Sequence, residues 1–206
     1  MTRPGQTIGT FVPMTAAVRP RGAARRELLL EAVLRIVADT GPDAVTHRRV
    51  AEVAELPLAS TTYWFSSKDE LIADALELAA ERDIAALHDR VGEQAGDALD
   101  RAVAVICAPL QEDLRASRGS LLAAYALWLE AARRPELRAI TGRWTAAYHA
   151  TVARLLEQAG SSDPAGDAEL MVGAADGLLM EQLARGHSSD LRPQLRRLAA
   201  ALLESR

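Results

Sequence analysis

The sequence predicts an all-α protein of about nine helices, with an N-terminal three-helix unit followed by a larger helical body. Three observations predict it. Apolar residues recur at spacings of three and four from about residue 23 onward. Glycine and proline fall mostly between these runs. No stretch keeps the apolar–polar alternation of a half-buried strand.

The first twenty residues, with Pro4, Gly5, Gly9, Pro13 and Pro20, have no periodicity and read as a flexible arm in which Met14 is an alternative start. From about Ala23, Leu29, Val33, Ile36 and Val37 form a helical stripe that Gly41-Pro42 stops. Thr46 is placed to cap a second helix with an inner face of Val50, Val53 and Ala54. Pro57 stands where a third helix begins, a position that tolerates its missing N–H. Ser67-Lys68-Asp69-Glu70 reads as a capping box opening a fourth helix, with acids in its first turn and no strong breaker before Gly92 or Gly96. Helical segments follow near 98–115, 118–133, 135–159, 165–185 and 190–204. Pro109 is expected to kink or end the first of these.

The chain has 206 residues, 49% of them hydrophobic, and a mean hydropathy of −0.02, as expected of a soluble globular protein with a sizeable core. No run approaches the roughly 18–20 apolar residues of a membrane span, so no membrane partner is expected. The basic tail lacks the apolar segment of a signal peptide. The lone Cys107 has no intramolecular partner, and a reducing cytoplasm is the expected setting. Net charge is −4, which argues against indiscriminate nucleic-acid binding. It is unevenly spread: residues 1–26 carry Arg3, Arg19, Arg21, Arg25 and Arg26 and no acid, while the body is acidic. A basic head on an acidic body suits contact with phosphate at one end only.

Catalysis finds no support. His47, His88, His149 and His187 match no zinc spacing, and there is no phosphate-binding glycine loop, nucleophile elbow or metalloprotease motif. Cys107 beside Ala108 and Pro109 reads as buried packing. No cofactor and no metal are expected.

The segment from Thr46 to Lys68 carries the functional argument. Two short helices meet at a tight turn, and the second bears hydroxyls and aromatics where a core helix would carry Leu and charge. Helix-turn-helix proteins lay such a helix in the major groove of double-stranded DNA. Two later segments point to a homodimer. Helix 165–185 is small or apolar nearly all round, and 190–204 carries the stripe Leu191, Leu195, Leu198 and Leu202. Packed against a symmetry mate they form a four-helix interface, and palindromic DNA calls for that two-fold. Completion of the monomer core is the alternative.

The stretch resembles the TetR family of transcriptional regulators. Carrying the resemblance are Thr46-x-Arg48-x-Val50-Ala51-x-x-Ala54, then Pro57-Leu58-Ala59-Ser60-Thr61-Thr62-Tyr63-Trp64-Phe65, then Ser67-Lys68-Asp69-Glu70-Leu71. It is specific over about 23–80. Two departures stand out: Glu55 in the turn and Ala59 early in the third helix occupy places where the family usually has Gly. A turn residue there often needs φ > 0, at a cost of about 1 kcal/mol for a side chain.

The resemblance implies a helix-turn-helix domain at 21–67 and a ligand-binding and dimerisation domain at 68–206. Thr46, His47, Arg48, Ala59, Ser60, Thr62, Tyr63, Trp64 and Lys68 would be the DNA contacts. Thr46 would hold a phosphate, Arg48 would read a guanine edge, and Thr62 would pack on a thymine methyl. For Trp64 core packing competes with DNA, and for Phe65 it is the better reading. Lys68, the only lysine, opposes the helix dipole, which a phosphate would offset. The resemblance also implies an effector pocket in the body. Tyr125 and Trp128, then Trp144, Tyr148 and His149, would line it for an apolar or aromatic molecule, although aromatics at helical spacing also serve as plain core. Arg118, Glu130 and Asp176 are the candidate polar anchors. The implied function is a repressor released from a palindromic operator by a small molecule. A regulator without a ligand switch, constitutive or activating, and a helical binding protein that has lost DNA affinity are the alternatives.

Overall fold

The computed structural model describes residues 21–93, 96–116, 118–187 and 189–204; the expected N-terminal arm lies outside them. The elements run α1 (Arg21–Thr40), α2 (His47–Val53), α3 (Leu58–Trp64), α4 (Lys68–Glu93), α5 (Ala98–Ala116), α6 (Arg118–Arg133), α7 (Arg138–Gln158), α8 (Pro164–Arg185) and α9 (Arg192–Glu204), with 3-10 turns at Pro42–Ala44 and Pro135–Leu137. Among the described residues there are nine α-helices and no strand, as the periodicity predicts. One detail differs. Helix α5 passes Pro109 and continues to Ala116, so the expected end at that proline does not occur.

Two apolar cores hold the helices together. In the first, Leu29, Leu30, Val33, Ile36 and Val37 of α1 meet Val50, Phe65, Leu71, Ile72 and Leu76, and also Ala123, Leu127 and Ala131 of α6. In the second, Leu87 at the far end of α4 meets α5, α7, α8 and α9 through Val105, Val152, Leu155, Met171, Leu179 and Leu195. Helix α4 therefore belongs to both cores, and α1 packs along α6 as well as along its neighbours in the three-helix head.

The local signals that start and stop the head helices are specific. Gly41, with φ 86, closes α1 through an N–H to the Val37 carbonyl at 3.0 Å. Thr46 is extended (φ −141), and its Oγ1 accepts the Arg49 N–H at 3.1 Å. Helix α2 ends in a paired motif: Glu55 N–H reaches the Glu52 carbonyl at 3.2 Å and Leu56 N–H reaches the Ala51 carbonyl at 3.0 Å. The same pairing closes α7 at Gly160 (φ 91) and α8 at Gly186 (φ 71). In α2 the left-handed residue is Glu55 itself, at φ 55, as the turn departure predicts.

At the start of α4 the expected capping box is shifted by one residue. Ser67 Oγ accepts the Glu70 N–H at 3.1 Å, but the Glu70 carboxylate reaches past Ser67. It accepts both the N–H and the hydroxyl of Ser66 at 2.6 Å. Those two bonds, the hydroxyl first, pull the Glu70 carboxyl below its ordinary 4.5.

Two stability predictions follow from these termini. A left-handed side chain costs about 1–2 kcal/mol, against a glycine entropy cost of about 0.5–1 kcal/mol. Glu55→Gly is therefore expected to raise the unfolding free energy by up to about 1 kcal/mol, read as a higher urea midpoint at unchanged slope and fixed protein concentration. Because the folded Glu70 carboxyl titrates below 4.5, its contribution is present above that pH and is lost as pH falls through the lower folded value. Glu70→Gln should melt earlier than the wild type at neutral pH, with the gap closing in acid; a gap independent of pH would refute this.

Candidate nucleic-acid interface and ligand cavity

The exposed side chains of the three-helix head include Thr46, Arg48 and Arg49 at the start of α2, and Leu58, Ala59, Thr62 and Tyr63 on α3. Thr46 spends a lone pair on its cap and keeps its hydroxyl proton to donate. The Arg48 side chain is 86% exposed and leans on Glu52 of its own helix at 3.2 Å, a surface pair of about 0–1 kcal/mol that a base edge can displace. Arg49 shares the same Glu52 at 3.7 Å. Ser60 is half-buried, and Thr62 Oγ1 bonds back to the Ala59 carbonyl at 3.4 Å.

Tyr63 is 79% exposed, with Trp64 edge-on to it at 5.0 Å. Trp64 is half-buried: its ring faces Gly22 of α1, where an added Cβ would stand 3.2 Å from it. Trp64 thus packs on α1, and Phe65 is fully core. His47 is half-buried too, with Nδ1 enclosed and without a bonding partner among the described residues. Lys68 Nζ donates to the Asp43 carbonyl at 3.0 Å, tying the first turn of α4 to the loop ahead of α2 and leaving two further N–H groups.

The second feature lies where the two cores meet. A cavity of about 910 Å³ is walled by α1, α4, α6, α7 and α8, with Ile106 of α5 at one point. Tyr125, Trp128, Trp144, Tyr148 and His149 all line it, so the structure brings the five aromatic candidates to one place. Trp144 rests on the first core, while Tyr125 and Tyr148 rest on the second. Of the polar anchors, Asp176 lines the cavity. Glu130 instead pairs with Arg134 at 3.1 Å and Arg133 at 3.0 Å. The Arg118 side chain lies outside the described residues.

Sequence reasoning missed Asp83. It sits in the apolar stripe Leu76, Ala80, Leu87 of α4 and is held from the opposite wall. Trp144 Nε1 donates to its Oδ2 at 2.7 Å and Tyr148 Oη to the same oxygen at 2.8 Å, while Arg90 approaches Oδ1 at 3.5 Å. An acid at a core position of an amphipathic helix was the available signal. Burial, reinforced by the Asp83 charge, drives the Tyr148 hydroxyl far above the ordinary tyrosine range, so it stays a donor. The α1 lining residues Leu34, Arg35, Ala38 and Asp39 were also missed, because their outward position on α1 gives no sign of what α6 and α8 bring near them.

A helix-turn-helix head continuous, through one long helix, with a helical body that holds an open cavity defines a class: the helix-turn-helix transcriptional regulator with a separate helical body. Within it, the chain belongs to the TetR family, since the family model for the tetracyclin repressor-like C-terminal domain matches residues 97–205. Over 58 residues the chain is 34% identical to the HTH-type transcriptional regulator PksA of Bacillus subtilis (strain 168), a match that spans 28% of each chain. Among solved structures, the TetR family member SCO1917 of Streptomyces coelicolor A3 is 29% identical, with TM-score 0.69, covering 86% of this chain and 97% of that one. The multidrug binding protein EbrR, complexed with imidazole, is 29% identical, with TM-score 0.65, over 86% and 94% of the two chains. Its complex with ethidium aligns at TM-score 0.66. No helix among the described residues is long and apolar enough to cross a membrane.

Tyr148→Phe removes one of two donors to a single carboxylate oxygen. The expected cost is about 1.5 kcal/mol in urea unfolding, at the lower end for a hydrogen bond to a charged group, with Asp83→Asn in the same background recovering part of it. Equal stability of Tyr148→Phe and wild type would mean the Asp83 network contributes nothing.

Proposed function

We propose that this protein is a homodimeric repressor that leaves a palindromic operator when a small aromatic molecule fills the cavity between α4, α6, α7 and α8. One observation carries the reading: the cavity wall and the DNA-reading head share helix α4. Asp83 of α4 lines the cavity, and the adjacent Arg82 grips Glu27 and Glu31 of α1, each at 2.8 Å. At its first turn Lys68 holds the loop before α2. A ligand that displaces Trp144 or Tyr148 from Asp83 would act on the helix that positions the head. The EbrR complexes, with ethidium among the ligands, support an aromatic occupant.

In this reading residues 21–67 read DNA and 68–206 bind ligand and partner. Thr46, His47 and Lys68 contact phosphate. Arg48 reads a base edge from α2, while Ala59, Ser60, Thr62 and Tyr63 lie along the groove on α3. Trp64 supports Tyr63 from beneath as well as reaching DNA. Helices α8 and α9, which match the expected 165–185 and 190–204 to within two residues, form the dimer. Leu170 and Met180 are 57% and 41% exposed on α8, and added Cβ atoms at Gly173 and Gly177 would meet nothing within 4 Å. The two-fold sets the recognition helices at the ~34–36 Å needed for successive major grooves. Ligand works only if it binds the splayed arrangement more tightly. The protein acts in the cytoplasm, where the operator is.

The test is titration of the purified protein onto DNA from upstream of its own gene, against unrelated DNA, across a salt series. Saturable, competitor-resistant binding by a dimer is expected. Arg48→Ala should weaken it by about 1–3 kcal/mol and relax preference at one base pair. Binding no stronger than to random DNA, in wild type and in Glu55→Gly alike, would refute DNA reading. Binding that no cavity ligand weakens would refute the switch.

A further inference from the structure

We propose that the effector is an organic cation, a flat aromatic ring system bearing positive charge, and that Asp176 is its counter-ion. The inference rests on the reading of the cavity as the effector site. The charged side chains that line the cavity divide by wall: Arg35 and Asp39 on α1, Arg82, Asp83 and Arg90 on α4, Glu169 and Asp176 on α8.

The arginines are engaged on the α1 and α4 side. Arg82 is taken by Glu27 and Glu31, Arg90 approaches Asp83, and Arg35 donates to the Val53 carbonyl at 3.1 Å. Asp83 is likewise satisfied, with two donors on Oδ2 and Arg90 beside Oδ1. The α8 wall is different. Asp176 Oδ1 accepts the Tyr125 hydroxyl at 2.8 Å, and among the described residues no arginine or lysine bonds to its carboxylate. Glu169, two helical turns earlier, extends the same wall with a second acid.

Asp176 lines the cavity and its side chain is accessible there. Burial is the main influence on it and pushes its carboxyl upward, against the Tyr125 hydrogen bond and the nearby His149, both of which favour the charged form. The Tyr125 hydroxyl is held neutral by the same burial and by the Asp176 charge, so it orients the carboxylate without neutralising it. A neutral ligand filling this space would strip the remaining water from an unpaired carboxylate, which is costly. A cation would pair with it. Trp128, one turn beyond Tyr125 on α6, and Trp144 across the cavity offer ring faces that favour a planar cation further. A volume of about 910 Å³ leaves room for three or four fused rings with substituents.

The test uses the DNA-free full-length dimer, so that no dye can intercalate, and three fluorescent probes. Ethidium is a planar cation; N-phenyl-1-naphthylamine is neutral; 8-anilinonaphthalene-1-sulfonate shares its skeleton and is an anion. Saturable ethidium binding is expected, tighter than that of either naphthylamine. Asp176→Asn should weaken ethidium at least about tenfold and leave the neutral probe bound as well or better. Asp176→Glu, which keeps the charge, should hold ethidium within a few-fold and guards against a folding defect. Ethidium binding unchanged in Asp176→Asn overturns the proposal, as does a wild-type preference for the neutral or anionic probe. In that last case the cavity reading stands and the charge assignment alone falls. If no probe is sensitive to Trp128→Ala or Trp144→Ala, the cavity reading falls, and the counter-ion with it.

Discussion

The constraint on which the structure turns is the partly buried carboxylate of Asp83, held from two sides. A charge taken out of water must find donors, and two of those available to it come from a different helix, at Trp144 and Tyr148 one turn apart on α7. This fixes the rotation of α4 about its own axis. With Asp83 turned toward α7, the adjacent Arg82 is presented to Glu27 and Glu31 on α1, and Glu77, further up α4, to Arg143 of α7 at 2.5 Å. Arg26 of α1 closes on Asp74, and Arg134, just beyond α6, on Asp69 at 2.5 Å. Each exposed pair contributes little alone. Their value is geometric: all are satisfied at one setting of α4, so a change at Asp83 is felt along its whole length.

The head has little independence from that setting. Its helices are short, α2 and α3 spanning seven residues each, and neither would persist without tertiary support. Their support is α1, whose buried stripe also packs on α4 and α6. The turn between α2 and α3 is rigid by its paired hydrogen bonds and keeps its form even with Glu55 in a left-handed conformation. Head and α4 are packed as one unit, so in the proposed switch a tilt of α4 would change where α3 points.

Much of this was legible in the residues. Helix boundaries, the Thr46 cap, the left-handed Glu55 and the convergence of Tyr125, Trp128, Trp144, Tyr148 and His149 all follow from spacing, local chemistry and the family pattern. What escaped was of two kinds. Local rules missed by a residue: the Glu70 carboxylate takes the N–H of Ser66 rather than that of Ser67, and α5 continues past Pro109 to Ala116. Non-local chemistry was hidden altogether. Nothing in the neighbours of Asp83 foretells two donors arriving from residues more than sixty positions away, and the assignment of Trp64 between core and DNA depends on the approach of Gly22.

Helix α8 joins the ligand question to the assembly question. One side is sealed by Met171, Ala175, Leu179 and Leu183; another bears Asp176 and Glu169 on the cavity; and Leu170 stands outward. Gly173, Gly177 and Met180 belong to the exposed face and to the cavity lining at once. A helix apolar nearly all round needs cover on each side, and in the proposed dimer that cover is the second copy, laid beside the mouth of the cavity. A ligand paired with Asp176 would then bear on the same helix that sets the angle between protomers. By linkage, in the proposed switch DNA held at groove spacing would lower affinity for the effector by the factor that the effector lowers affinity for DNA. With α4 leading to the head and α8 to the partner, the cavity sits between the two helices whose relative position an operator would sense.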